Sequence, residues 1–240
     1  MRERYGIDAP GVVRTLGLLG VVLAVLAYPV FLLADHLFGT VAASVITLVV
    51  AAYAFVFLVQ SGWMLHSSLV GKRRFWERQL DALALRGDER VLEVGPGRGA
   101  VLVAAARRLP TGRAVGVDIW RQQDQSGNGP EALMSNARIA GVADRIDVLD
   151  GDMRELPCQD GEFDVVLASY AIHNLPAADH RRVIAEIVRV LKPGGRVVIM
   201  DFRSTAGYAE ELRRAGGKDV RRSALRWQLH PAVRVVTATG

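Results

Sequence analysis

Residues 90–100 read Arg-Val-Leu-Glu-Val-Gly-Pro-Gly-Arg-Gly-Ala, and the fold is decided there. Val91, Leu92 and Val94 favour a strand. Gly95, Gly97 and Gly99 follow at once, and the alanine- and leucine-rich run over residues 100–109 has helical composition. A strand that turns through glycines into a helix lets its backbone approach a ligand closely and aims the first helical N–H groups at it. Taken alone the loop is ambiguous. Gly95-x-Gly97-x-x-Ala100 also satisfies the dinucleotide fingerprint G-x-G-x-x-G/A. Asp118 ends the next β-rich run, residues 114–118, where a carboxylate can accept hydrogen bonds from a ribose diol.

Outward from this unit, β-rich runs alternate with helical ones. Strands are expected at 145–149, 163–169 and 196–202, and helices at 130–140, 177–191 and 208–215. Two further strands are expected near 220–227 and 232–238. Residues 165–168 are apolar without a break, as in a parallel strand buried on both faces. The pattern predicts an α/β fold, a Rossmann-like, doubly wound, mostly parallel sheet of seven strands. In such sheets ligands bind at the carboxyl ends of the strands.

The motifs at those ends are Glu93 with the 95–99 glycine loop, Asp118, Gly151-Asp152-Met153, the run from Phe163 to Tyr170, and Leu191-Lys192-Pro193-Gly194-Gly195. No Tyr-x-x-x-Lys pair accompanies them, which disfavours nicotinamide chemistry. From Val91 to Asp201 the ordered series resembles the class I S-adenosylmethionine-dependent methyltransferases, notably the small-molecule branch that includes quinone-biosynthesis enzymes. The resemblance implies S-adenosylmethionine as cofactor. Glu93, Gly95, Gly97 and Gly99 would then face its amino acid portion. Asp118 would hold the ribose, and Ile119 or Trp120 would pack on adenine, Trp120 being equally suited to core packing. Asp152 and Met153 would meet the adenine amino group. Ser169 and Tyr170 would lie beneath the sulfonium.

The stretch Ala171-Ile172-His173-Asn174 follows. His173 suits either of two roles, a base for a substrate hydroxyl or amine, or a scaffold that fixes the loop. Tyr170 is the other catalytic candidate. Methyl transfer from a sulfonium needs mainly in-line positioning, so a base is optional. No ligand spacing for a metal is evident, and none is expected.

Of the 240 residues 50% are apolar and 23% charged, which excludes a disordered chain. A single cysteine, Cys158, excludes an intrachain disulfide and any multi-cysteine zinc site. The apolar excess is concentrated in residues 15–34 and 41–59, neither of which contains Asp, Glu, Lys or Arg. Each run is long enough to cross a bilayer core as a helix, about 28–30 Å. The short 35–40 segment between them predicts an antiparallel hairpin, and Gly20 with Ala24 is a small-xxx-small pair suited to close helix contact. Arg2, Arg4 and Arg14 flank one side, and Lys72, Arg73, Arg74 and Arg78 the other. The positive-inside rule then places both termini and the catalytic domain in the cytoplasm of a multi-pass cell-membrane protein. A soluble hairpin buried in the domain is the rival reading.

The expected organisation is a transmembrane hairpin over residues 1–63, an amphipathic exit helix over 64–89, and the methyltransferase domain over 90–240. Trp76 in the exit helix suits a membrane surface or the domain core equally. The net charge of +5 reads as membrane-surface charge rather than a nucleic-acid footprint. The expected function is therefore membrane-anchored methylation of a small, amphipathic or lipid-like acceptor. Rival readings are an enzyme of a soluble metabolite merely tethered to the membrane, and a non-catalytic cofactor-binding scaffold.

Overall fold

The computed structural model describes residues 3–121, 125 and 127–240. Arg2 of the basic flank and part of the polar 121–129 insertion lie outside the described residues. The described strands are β1 (Arg90–Val94), β2 (Arg113–Asp118), β3 (Ile146–Asp150), β4 (Phe163–Ser169), β5 (Leu191–Asp201), β6 (Lys218–Arg222) and β7 (Arg234–Thr239). They form one sheet in the order β3-β2-β1-β4-β5-β7-β6. β1 to β5 pair in parallel, and β7 runs antiparallel to both β5 and β6. The strand order reverses between β1 and β4, which opens a crevice at their carboxyl ends.

Helices cover both faces. α3 (Lys72–Leu83), α4 (Ala100–Ala106) and α5 (Pro130–Ala140) lie on one side, and α6 (His180–Val190) and α7 (Thr205–Arg214) on the other. α6 shows why: Val183, Ile184, Ile187 and Val190 are buried at helical spacing, while its charged residues face outward. β6 lies earlier than the expected 220–227 run because β7 recruits a polar edge strand, Lys-Asp-Val-Arg-Arg, whose exposed charges protect the sheet edge.

Before the sheet come α1 (Pro10–Phe38) and α2 (Thr40–His66), longer than the expected runs and separated by Gly39 alone (φ 82°). The Thr40 hydroxyl donates to Asp35 Oδ1 at 2.7 Å across this turn. Gly20 is buried where the helices touch, since a Cβ there would stand 2.7 Å from Leu58, whereas Ala24 faces outward. The outer faces are bare: Val25 and Phe55 are each 68% exposed. Only 6% and 11% of the most apolar windows of these helices are buried. That burial disagrees with the rival soluble-hairpin reading, in which the domain would cover them.

α2 does not stop at a boundary. It passes through a π turn, Ser67–Gly71, into α3. Trp76 is 1% exposed and Leu80 fully buried, so α3 is a core helix, and Trp76 is a core anchor rather than a surface one. The serines of the π turn are buried and act as acceptors, Ser67 Oγ from the His230 N–H at 3.0 Å and Ser68 Oγ from the Asp8 N–H at 3.2 Å. The chain ahead of α1 also belongs to the domain. Tyr5 is buried in its core, and Asn136 exchanges hydrogen bonds with the Arg4 backbone at 2.8 and 3.1 Å.

Candidate active site

The β1–α4 loop forms the floor of a cleft at the sheet's reversal point. Gly95 has φ 70° and Gly97 φ 54°, a region that other residues rarely adopt. A Cβ at Gly95 would stand 2.6 Å from Ala171 Cβ, and one at Gly97 would stand 2.5 Å from Gln125 Oε1. Bare backbone is therefore required at both. The Gly97 N–H donates to Asp118 Oδ2 at 3.0 Å, and the Trp120 N–H donates to Asp118 Oδ1 at 2.8 Å. Asp118 thus clips the glycine loop to the end of β2 while lining the cleft.

Glu93 is the most unusual group in the cleft wall. It is 1% exposed, and among the described residues its Oε2 has no hydrogen-bond partner. Burial pushes the carboxyl from its ordinary 4.5 up to about 8, against the pull of the Lys72 ammonium and the Leu102 backbone. Lys72 is itself nearly buried and is occupied by Asp8, whose two oxygens accept from Nζ at 2.8 and 2.7 Å. Though expected as a membrane-surface charge, Lys72 lines this cleft.

At the carboxyl end of β4, Ser169 Oγ accepts from Trp76 Nε1 at 2.8 Å. Tyr170 sits at φ 51°, held by its N–H to Met200 O at 3.0 Å and its hydroxyl to Pro231 O at 3.3 Å. Burial and the nearby carboxylates of Asp8 and Asp201 push its phenol well above the ordinary range. Tyr170 is consequently a hydrogen-bond donor rather than a proton acceptor.

Eight of the residues expected from sequence line this one cleft: Glu93, Gly95, Gly97, Asp118, Ile119, Met153, Ser169 and Tyr170. Four lie elsewhere. Gly99 sits beneath Leu133, which a Cβ would meet at 2.8 Å. The Trp120 indole turns away to donate to Asp150 at 2.5 Å and packs on the core. Asp152 is captured by Arg154, whose Nη2 donates at 2.6 Å and whose charge holds the carboxyl below its usual range. Arg154 also bridges to Asp179 at 3.1 Å. His173 lines a neighbouring cavity instead. Its backbone N–H donates to Asp201 Oδ2 at 3.2 Å, and Nδ1 stands 2.9 Å from Asp201 Oδ1. The ring N–H is not aligned on that oxygen, so the second contact is electrostatic rather than a formed hydrogen bond. Asp8, Lys72, Gln125 and Asn174 also line the cleft and were not expected there from sequence. Asp8 and Gln125 stand 117 positions apart and meet through a 3.2 Å hydrogen bond, a pairing that no local pattern announces.

The residues fit S-adenosylmethionine. A buried carboxyl with one oxygen unpartnered among the described residues, beside a glycine cradle, suits an ammonium, and a clipped aspartate at the end of β2 suits a ribose.

Residues 92–199 match a family model described as a methyltransferase domain. The ubiquinone/menaquinone biosynthesis C-methyltransferase of Roseobacter denitrificans is 32% identical over 134 residues, covering 55% of this chain and 50% of the relative. The 27-O-demethylrifamycin SV methyltransferase of Amycolatopsis mediterranei is 35% identical over 151 residues, covering 60% and 52%. The chain thus spans about half the length of these curated relatives. Among solved structures, geranyl diphosphate C-methyltransferase from Streptomyces coelicolor A3(2), in complex with Mg2+, geranyl diphosphate and S-adenosyl-L-homocysteine, superimposes with a TM-score of 0.58. It is 17% identical and covers 73% of this chain and 80% of its own, a likeness of fold.

Proposed function

We propose that the chain is a membrane-anchored, S-adenosylmethionine-dependent methyltransferase of a small, amphipathic or lipid-like acceptor, a reading supported by the methyltransferase-domain match over residues 92–199 and by the methyltransferase relatives. The observation that carries the reading is Glu93, buried with one carboxyl oxygen unpartnered among the described residues, in the cleft it lines with Gly95, Gly97 and Asp118. The anchor rests on the bare apolar faces of α1 and α2, which form the anchoring segment. Arg74 and Arg78 are exposed just past its inner end, which favours a cytoplasmic domain and a multi-pass topology.

When bound, S-adenosylmethionine supplies a methyl on a sulfonium, open to in-line displacement by an oxygen, nitrogen or carbon nucleophile. Glu93 receives the ligand's ammonium and becomes ionised as it does so. Gly95 and Gly97 leave room for the amino acid portion. Asp118, at the end of β2 and lining the cleft, accepts from the ribose hydroxyls, and Ile119 covers the adenine. Tyr170, fixed in a strained backbone conformation, separates this cleft from the cavity that His173 lines. Asp201 holds the His173 backbone N–H and stands beside its ring at the wall of that cavity, and we assign the imidazole to receive the acceptor's proton.

Purified full-length protein given methyl-labelled cofactor tests this with total membrane lipid extract and soluble extract in parallel. Label in an extractable lipid is the expected result. Label only in the soluble extract would leave a tethered enzyme of a soluble metabolite, and no label in either would refute the enzymatic reading.

A further inference from the structure

The cavity beyond Tyr170 is built by two parts of the chain that the sequence separates. One wall comes from the hairpin's inner end: Val12 in the first turns of α1, Met64 in the last turn of α2, and Ser67 of the π turn. The facing wall comes from the domain, with His173, Phe202 and Pro231. Its volume is about 330 Å³, within the usual range for a small-molecule site. Asp8, Tyr170 and Asn174 line both this cavity and the cofactor cleft, so the two meet at the end of β4.

The lining is mixed. Val12, Met64, Phe202 and Pro231 offer apolar surface. Polar groups stand where the cavity meets the cofactor cleft (Asp8, Tyr170, Asn174) and at the π turn and His230, and His173 rests on fully buried Asp201 and against the Phe202 ring at 4.6 Å between centroids. The serine hydroxyl oxygens of the hairpin wall are engaged by the backbone N–H groups of Asp8 and His230. π turns within helices recur at functional sites, and this one carries the bilayer helix into the core helix that supports Ser169 through Trp76.

We infer that this cavity is the methyl-acceptor site, shared between hairpin and domain, and that it takes an apolar-bodied molecule bearing one protic head, loaded from the bilayer side. The inference rests on the methyltransferase reading. In it the hairpin is part of the substrate site as well as an anchor. The head lies by His173 and Tyr170, and the apolar body lies along Val12 and Met64.

The test uses the full chain in vesicles of phosphatidylethanolamine and phosphatidylglycerol, with a dodecylphenol carrying a diazirine on its chain as the probe. S-adenosylhomocysteine affinity is measured on the same samples. After illumination, adducts are expected on residues 9–12, 64–68 and 230–231, and excess unmodified dodecylphenol should suppress them. Val12→Trp, which fills the mouth, should lower this yield about tenfold while leaving S-adenosylhomocysteine affinity unchanged. Met64→Phe should lower it in the same direction. Adducts spread over outward residues such as Val41 and Leu48, or adducts that neither competitor nor substitution reduces, would show bilayer partition alone and overturn the inference. Failure of the wild-type chain to bind S-adenosylhomocysteine would instead overturn the methyltransferase reading beneath it.

Discussion

Replacing Glu93 with glutamine should make the ligand-free protein more stable and the cofactor site worse. Its carboxyl is buried, has an oxygen without a partner among the described residues, and titrates near 8 rather than its ordinary 4.5. The folded-state value lies above the unfolded one. Below pH 4.5 both states hold the proton, so burial of this group carries no electrostatic cost. As pH rises from 4.5 toward 8 the unfolded chain releases the proton and the folded chain keeps it, so stability falls across that window and levels off above it. At pH 7 the loss is about 2.5 pH units times 1.36 kcal/mol, roughly 3 kcal/mol. Glutamine removes the titration but keeps a buried amide to satisfy, so a net gain of about 1–2 kcal/mol is expected near pH 8. For a chain of this size that corresponds to a melting temperature higher by about 3–6 °C, with little or no gain at pH 5. S-adenosylhomocysteine should behave oppositely. Its ammonium lowers the carboxyl's affinity for protons, so wild-type binding should release a proton and strengthen as pH rises toward 8. The variant should bind about 30-fold more weakly and without that pH dependence. Thermal unfolding at pH 5 and pH 8, with calorimetric titration in buffers of differing ionisation enthalpy, reads both effects. A stability difference equal at the two pH values, together with unchanged ligand affinity, would refute the assignment of Glu93 to the ammonium.

Asp118→Ala should weaken S-adenosylhomocysteine binding by about 1–3 kcal/mol, because it removes the ribose acceptor and frees the Gly97 and Trp120 N–H groups; unchanged calorimetric affinity would place the ribose elsewhere. His173→Ala should lower kcat for methylation of the lipid extract by about 10²-fold or more, abolish an ionisation from its pH profile, and leave S-adenosylhomocysteine binding intact. A smaller loss coupled to weaker binding, with the ionisation retained, would return His173 to a scaffold role. Cysteines introduced at Phe38 or Thr40 should react with an impermeant thiol reagent on intact cells, and one at Arg74 only after permeabilisation; the reverse pattern would overturn the topology.

Much of the fold was legible because its signals are local. Val91-Leu92-Glu93-Val94 running into Gly95 can be read without knowing any neighbour, as can the unbroken apolar run over residues 165–168. The same holds for Glu93, Gly95, Gly97 and Asp118, since a strand's carboxyl end can be located from the strand itself. The bare apolar lengths of α1 and α2 also follow from composition, though their true ends were set by Gly39 and by the π turn.

The sequence by itself determined the alternation of strand and helix, the glycine cradle, the aspartate that ends β2 and the two apolar runs, because each is a property of a short window. Only the tertiary structure decided which charges and rings those elements share. Lys72 left the membrane flank for Asp8, 64 positions away, and Trp76 became a core donor to Ser169, 93 positions away. Trp120 and Asp152 were drawn off by Asp150 and Arg154. His173 acquired Asp201 and a second cavity whose other wall is the hairpin. The physical reason is that periodicity encodes which face of an element is buried, whereas a polar side chain's role depends on the partner it is buried against. That partner is chosen by packing across the sheet.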